Sequence, residues 1–212
     1  MPQLVLALVA MLLAAPSVCA QSGRASAAVP IAQPHQLTKS QIETVRRVDA
    51  YFNQLASLMG SFVQTSADNK RERGKFYISR PGRFRFEFNR PSRVVIISDG
   101  THIAIQDRDL NTDDRWDLAY TPFRALLQKD VDLLRDARVL DARETDDSIT
   151  ISFEDKSGDA NSRMQLFLLR KPAIQMKAWI VKDAQGLDTR IDLTEVLAIG
   201  EPDPQLFNPA AR

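Results

Sequence analysis

Cysteine occurs once in these 212 residues, as Cys19, and histidine twice, as His35 and His102. That inventory excludes zinc fingers, iron–sulfur sites and disulfide scaffolds, each of which needs several such ligands or paired thiols. Ser-His-Asp and Cys-His constellations have almost nothing to draw on. The eight glycines are scattered, and neither GxxxxGK[ST] nor GxGxxG occurs, so no loop is built to cradle a phosphate. An excess of one charge is missing too. Lys and Arg number 28 against 27 for Asp and Glu, and a formal net charge of +1 gives no global pull toward nucleic acid or anionic lipid. What remains is an ordinary globular composition, 44% hydrophobic and 26% charged, at a length that suits one domain.

The longest apolar run, residues 4–15, is too short to span a bilayer. Val18-Cys19-Ala20 follows it, so residues 1–20 are expected to be a secretory signal peptide cleaved near Ala20. Lipidation of Cys19 would call for a small residue directly before it, and Val18 stands there. Residues 21–38, Gln-, Ser-, Ala- and Pro-rich and without periodicity, read as a flexible leader that contains His35. Residues 39–212 form the expected domain.

From Ser40 the apolar residues Ile42, Val45, Val48, Phe52, Leu55, Met59 and Phe62 recur at spacings of three and four. The spacing predicts an amphipathic helix over 40–62, roughly 30 Å long, with Ser40 as N-cap and Glu43 completing a capping box. After Asp68 the period becomes two. Arg83-Phe84-Arg85-Phe86-Glu87-Phe88 puts three Phe on one face and two Arg with a Glu on the other. Phe76/Ile78, residues 94–97, Ile103/Ile105, Trp116/Leu118, Ile149/Ile151/Phe153, Met164/Leu166/Leu168, Met176/Ala178/Ile180 and Ile191/Leu193 continue the series. Turn signals separate these short strands, with no helices alternating between them. The fold class expected is mainly β with helices: a strongly curved antiparallel sheet or unclosed barrel. A second helix is predicted after Thr121-Pro122, with Phe123, Leu126, Leu127, Val131 and Leu134 as its apolar face, ending near Asp136. Two helices are too few to cover both faces of a sheet, so they close its concave side. The residue pattern leaves open whether that side holds a filled core or a cavity.

Several signatures occur in a telling order. Residues 49–55 lead into Gly60-Ser61-Phe62-Val63-Gln64-Thr65; then come Gly74-Lys75-Phe76-Tyr77-Ile78-Ser79-Arg80-Pro81-Gly82-Arg83-Phe84-Arg85-Phe86, Ser98-Asp99-Gly100 and Thr121-Pro122-Phe123. In this order, behind a signal peptide, they resemble the LolA-type lipoprotein carriers of the Gram-negative periplasm, over residues 45–207. The resemblance implies an unclosed barrel with a helical lid around an apolar cavity for lipoprotein acyl chains. It implies a soluble periplasmic carrier, monomeric and without catalytic residues, cofactor or metal. Its partners would be acylated lipoproteins as cargo, an inner-membrane lipoprotein-releasing transporter, and an acceptor at the outer membrane or that membrane itself. Arg80 matches the family arginine that bonds lid carbonyls and holds the empty carrier closed; from spacing alone it is an ordinary strand-end arginine. Phe76, Ile78, Phe84, Phe86, Phe88 and Trp116 on strands, and Val48, Phe52, Leu55 and Leu127 on the lid, are expected cavity lining, with plain core as the alternative. Well-known members carry a further C-terminal segment beyond the position of Phe207. Two other functions share the fold: a lipid-sensing or interaction module that hands nothing over, and the outer-membrane receptor, which would need an acylated Cys19.

Charge is uneven along the chain. Residues 70–93 hold nine basic and two acidic side chains, and residues 107–147 twelve acidic and seven basic. The basic run is a solvated face or a docking rim, with Arg83, Arg85 and Arg90 as its candidates. An exported chain without an aromatic–basic nucleic-acid-binding motif is not expected to bind nucleic acid. His102 falls on a polar strand face, which suits a surface histidine rather than a general base. The Asp-rich stretch 107–117 lacks the Gly and terminal Glu of a calcium loop.

Overall fold

The computed structural model describes residues 36–121, 123–156, 163–183 and 185–210. The expected signal peptide and nearly all of the expected leader, His35 included, lie outside the described residues, as does Pro122. Among the described residues eleven strands, most of them the period-two segments, form one antiparallel sheet. These are β1 (Ser57–Thr65), β2 (Arg71–Ser79), β3 (Arg83–Phe88), β4 (Val94–Asp99), β5 (His102–Asp107), β6 (Thr112–Asp117), β7 (Ala137–Glu144), β8 (Ser148–Asp155), β9 (Arg163–Leu169), β10 (Gln175–Lys182) and β11 (Asp188–Ala198). The order is β6-β5-β4-β3-β2-β1-β11-β10-β9-β8-β7, two meanders joined where β1 pairs with β11. Edge strands β6 and β7 do not pair, so the sheet is unclosed. Yet Ile96 and Ile103 from one half share a continuous core with Ile151 and Leu166 from the other. Strands so far apart in the sheet meet only if it curls with its apolar face inward.

The first helix, α1, spans Lys39–Gln54 and ends well before the expected boundary at Phe62. Its N-cap is Thr38 rather than Ser40, in a capping box with Gln41: Thr38 Oγ1 accepts the Gln41 N–H and Gln41 Oε1 accepts the Thr38 N–H. Met59 and Phe62 fit a helical spacing, but they belong to β1, which is paired over its length with β2 on one side and with β11 on the other. A ladder on both sides outweighs the continuation of one helix. Two glycines make this strand pair possible. A Cβ on Gly74 would lie 2.1 Å from the Glu87 carbonyl oxygen and 2.5 Å from the Phe62 ring, which packs over the bare backbone. Gly82 has φ +71° and approaches the Gly100 backbone, bringing the β2–β3 and β4–β5 turns side by side.

The expected second helix is broken in two. One turn, α2, covers Arg124–Leu127 and another, α3, covers Leu133–Asp136, with a bent non-helical link between. Thr121 does not cap α2; its hydroxyl donates to the Leu118 carbonyl at 2.9 Å. The break has a polar cause. Asn53 of α1 holds both backbone groups of Val131, at 2.9 and 2.8 Å, and Asp132 caps α3. Strand β7 follows directly, a strand the apolar pattern did not mark because Ala137, Val139 and Ala142 carry little hydrophobic signal. α1 is fastened to β7 by Thr44 and Arg47 on Glu144 and by Gln41 on Asp141.

Strand β4 is buried on both faces, which explains its unbroken apolar run. Val94 and Ile96 face the main core, while Val95 and Ile97 are buried outside it with Ala104 and Phe207. The 3₁₀ turn Pro204–Phe207 lies on this outer patch: Arg85 donates to the Leu206 carbonyl at 3.1 Å and the Arg83 guanidinium stacks over the Phe207 ring. Arg83, Arg85 and Arg90, expected on a docking rim, differ in exposure. Arg85 is only 9% exposed and Arg83 is half-buried, since the chain's own C-terminal segment covers them; Arg90 alone of the three is exposed.

Gly74→Ala is expected to destabilise the protein by about 2 kcal/mol or more, because a Cβ there overpacks against fixed backbone and a buried ring. Urea unfolding of the variant beside wild type measures it, and a difference below about 0.5 kcal/mol would contradict the packing described.

Candidate functional site

The inner face of the curled sheet and the helical segments above it enclose a cavity of about 90 Å³. The sheet contributes Leu58, Ile78, Phe84, Phe86, Met176, Trp179 and Leu193. The cover contributes Phe52, Leu55, Ala56, Phe123, Leu126 and Leu127. Arg80 is the one charged lining residue. Pockets that hold drug-sized ligands run to about 300–1,000 Å³, so the cavity is nearly filled by its own side chains. Aromatic rings do most of that filling. Phe86 meets Phe76 at 5.7 Å, Phe84 at 5.9 Å and Trp179 at 6.1 Å, and Trp179 in turn meets Phe123 of the cover at 6.1 Å. Each pair is offset or edge-on, the geometry in which such rings attract.

Arg80 ends β2 beneath the cover. Its Nη2 donates to the Gln128 carbonyl at 2.6 Å and the Lys129 carbonyl at 3.3 Å, and its Nη1 to the Leu55 carbonyl at 3.3 Å. Nη2 also lies 3.4 Å from Asn53 Oδ1. Close by, the Gly82 N–H donates to the Leu127 carbonyl at 2.8 Å. Carbonyls at the end of a helical turn have no partner within it, and here strand-end donors satisfy them. Burial lowers the Arg80 pKa from its ordinary value, with the charge of Asp130 acting in the opposite sense. A guanidinium remains charged regardless and supplies five donors in a fork.

Of the side chains expected to line a cavity, Phe52, Leu55, Ile78, Phe84, Phe86 and Leu127 come together around it with Arg80. The others do not. Val48 and Phe76 are fully buried in the core, Phe76 stacked on Phe86. Phe88 packs against Phe62, and Trp116 is half-buried on edge strand β6. Trp179 had no signal in the alternation, which placed Met176, Ala178 and Ile180 on one face. A β-bulge between Met176 and Ala178 shifts the register, so Trp179 and Val181 point inward with Met176. Among the described residues no group of three or more His, Cys, Asp or Glu is arranged to hold a metal. His102 is exposed.

One buried acid sits in the cover. Asp49 of α1, 7% exposed, accepts the Leu133 N–H at 3.2 Å. Burial pushes its pKa from 3.8 to about 6; the Leu133 hydrogen bond and the Arg135 charge oppose this, and the charges of Asp132 and Asp136 add to it.

Residues 53–210 match the family model described as outer membrane lipoprotein carrier protein LolA. The chain is 26% identical over 180 residues to an outer-membrane lipoprotein carrier protein of Chromohalobacter salexigens, covering 80% of this chain and 83% of that one. It is 28% identical over 178 residues to the protein of the same description from Methylococcus capsulatus, covering 79% and 85%. A DUF1329 family protein from Desulfovibrio piger shares the fold, with a TM-score of 0.52 at 11% identity over 82% of this chain and 98% of the other.

The Asp49 carboxyl keeps its proton in the folded state up to about pH 6, whereas an ordinary Asp loses it near 3.8. The folded state therefore binds more protons across that window, and stability falls as pH rises through it, by about 3 kcal/mol at most. Asp49→Asn keeps an oxygen for Leu133 and removes the charge. It is expected to match wild type near pH 4 and to exceed it by about 2 kcal/mol at pH 7.5 in urea unfolding. An equal difference at both pH values would contradict the burial of a titrating acid there.

Proposed function

The chain belongs to the LolA family of outer membrane lipoprotein carriers, and on that premise we propose that it is a periplasmic carrier that shelters lipoprotein acyl chains under its helical cover and passes them from the inner to the outer membrane. The observation that carries this reading is a cavity lined, Arg80 apart, by apolar and aromatic side chains, whose cover is tied to the sheet by that arginine on backbone carbonyls. Exposing an acyl chain of about fifteen methylenes to water costs on the order of 12 kcal/mol, at about 0.8 per CH₂. A multiply acylated protein does not cross the periplasm unaided at such a cost.

Shelter alone is not enough, because the cargo must also leave. The closed cavity is too small for an acyl chain, so loading displaces the cover and breaks the Arg80 bonds. Every contact that the closed form makes with itself is then set against binding, and affinity is the difference. Arg80 acts in this scheme as a latch whose re-formation favours release. Loading comes from a releasing transporter in the inner membrane, and unloading is to an acceptor at the outer membrane, a receptor or the membrane itself.

Arg80→Leu removes the latch and leaves the apolar wall in place. The variant is expected to retain a fluorescent acylated peptide about tenfold longer than wild type in a dilution assay against empty acceptor vesicles. Identical release would remove Arg80 from the mechanism, and failure of both proteins to bind the peptide would remove the carrier reading.

A further inference from the structure

Two side chains that line the cavity carry buried hydrogen-bond donors without acceptors. Trp179 is 7% exposed, its indole Nε1 is buried, and it meets no hydrogen-bond partner among the described residues. Arg80 lines the same cavity, and its Nε is also buried and unpartnered, although its terminal nitrogens are engaged. The other lining side chains are hydrocarbon apart from the thioether of Met176, a weak acceptor. A buried N–H with no partner costs about 1–3 kcal/mol and is seldom left in a native structure without a reason. The rings of Phe86 and Phe123 stand nearly perpendicular to the indole, at 87° and 81°, and a π-face is a poorer acceptor than a carbonyl.

Position adds to chemistry. Trp179 packs against Phe123 of the cover, so lifting the cover exposes its ring. An acyl chain differs from an alkyl chain only at its head, where an ester or amide carbonyl joins it to its carrier. That head is the part of a sheltered chain that remains nearest the opening.

We propose that the Trp179 indole N–H is a recognition point for the carbonyl of an acyl cargo, so that the site distinguishes acylated ligands from bare alkyl chains. The inference rests on the carrier reading of the cavity and adds a polar selection to it. Apolar walls set how much hydrocarbon is held; the indole sets which end of the ligand lies at the mouth.

The test compares two synthetic lipopeptides, one carrying two ester-linked palmitoyl chains on a glyceryl-cysteine and the other its ether-linked counterpart without those carbonyls. Wild type is expected to bind the ester about tenfold more tightly, equivalent to about 1.4 kcal/mol. Trp179→Phe keeps an aromatic wall and is expected to lose the preference, binding the ester and ether forms with equal affinity. In ¹⁵N-labelled wild type, with the two indole signals assigned through Trp116→Phe, the ester ligand is expected to move the Trp179 indole proton downfield and the ether ligand is not. Equal affinity of wild type for the two probes, or a preference retained in Trp179→Phe, would overturn the proposal. If neither probe binds to wild type, the carrier reading fails and this proposal with it.

Discussion

A sheet that curls its apolar face inward without joining its edges cannot seal its own core. β6 and β7 leave that seam open, and the rest of the molecule is arranged around it. The chain between these two edges is the one that forms α2, the bent link and α3, so the cover is strung across the opening it closes. α1 lies beside it and reaches β7 through polar side chains. The hydrophobic effect gives the cover a reason to sit down, but it is non-directional and does not fix where each turn lies. Arg80, Asn53, Asp49 and Gly82 do that, through backbone groups that the broken helix leaves unpaired.

This division between apolar drive and polar placement accounts for what was legible in the sequence. Most of the strands were, because alternation is a local property: Phe84 and Phe86 face inward beside Ile78, as a period of two requires. The mainly β, unclosed architecture with a helical cover was also legible, from the order of its signatures. What depended on distant partners was not. α1 ends at Gln54 because β1 finds β2 and β11, and a helical spacing through Met59 and Phe62 carries no trace of either. The second helix breaks because Asn53, nearly eighty residues earlier in the chain, claims the backbone of Val131. Arg85 alternates as a surface residue should, yet it is buried and donates to the Leu206 carbonyl, more than a hundred residues further on.

The same reasoning applies to the electrostatics. The basic run of residues 70–93 contributes to three different situations: Arg80 beneath the cover, Arg83 and Arg85 under the C-terminal turn, and Arg90 in water. A count of charges along the chain treats them alike. Burial separates them, and only burial decides which are held by carbonyls or rings and which face solvent.

The bulge between Met176 and Ala178 gives β10 something like a reading frame. Along a strand, each side chain's direction follows from how many residues precede it, so one surplus residue inverts the sense of everything downstream. Here that surplus turns an indole inward and leaves Ile180 on the other side. The polar character of the cavity wall is therefore encoded by a count as much as by a residue type. A relative with Trp at the aligned position but a regular strand in place of the bulge would present that Trp to the outside. Comparison of such chains by residue identity alone would miss the difference.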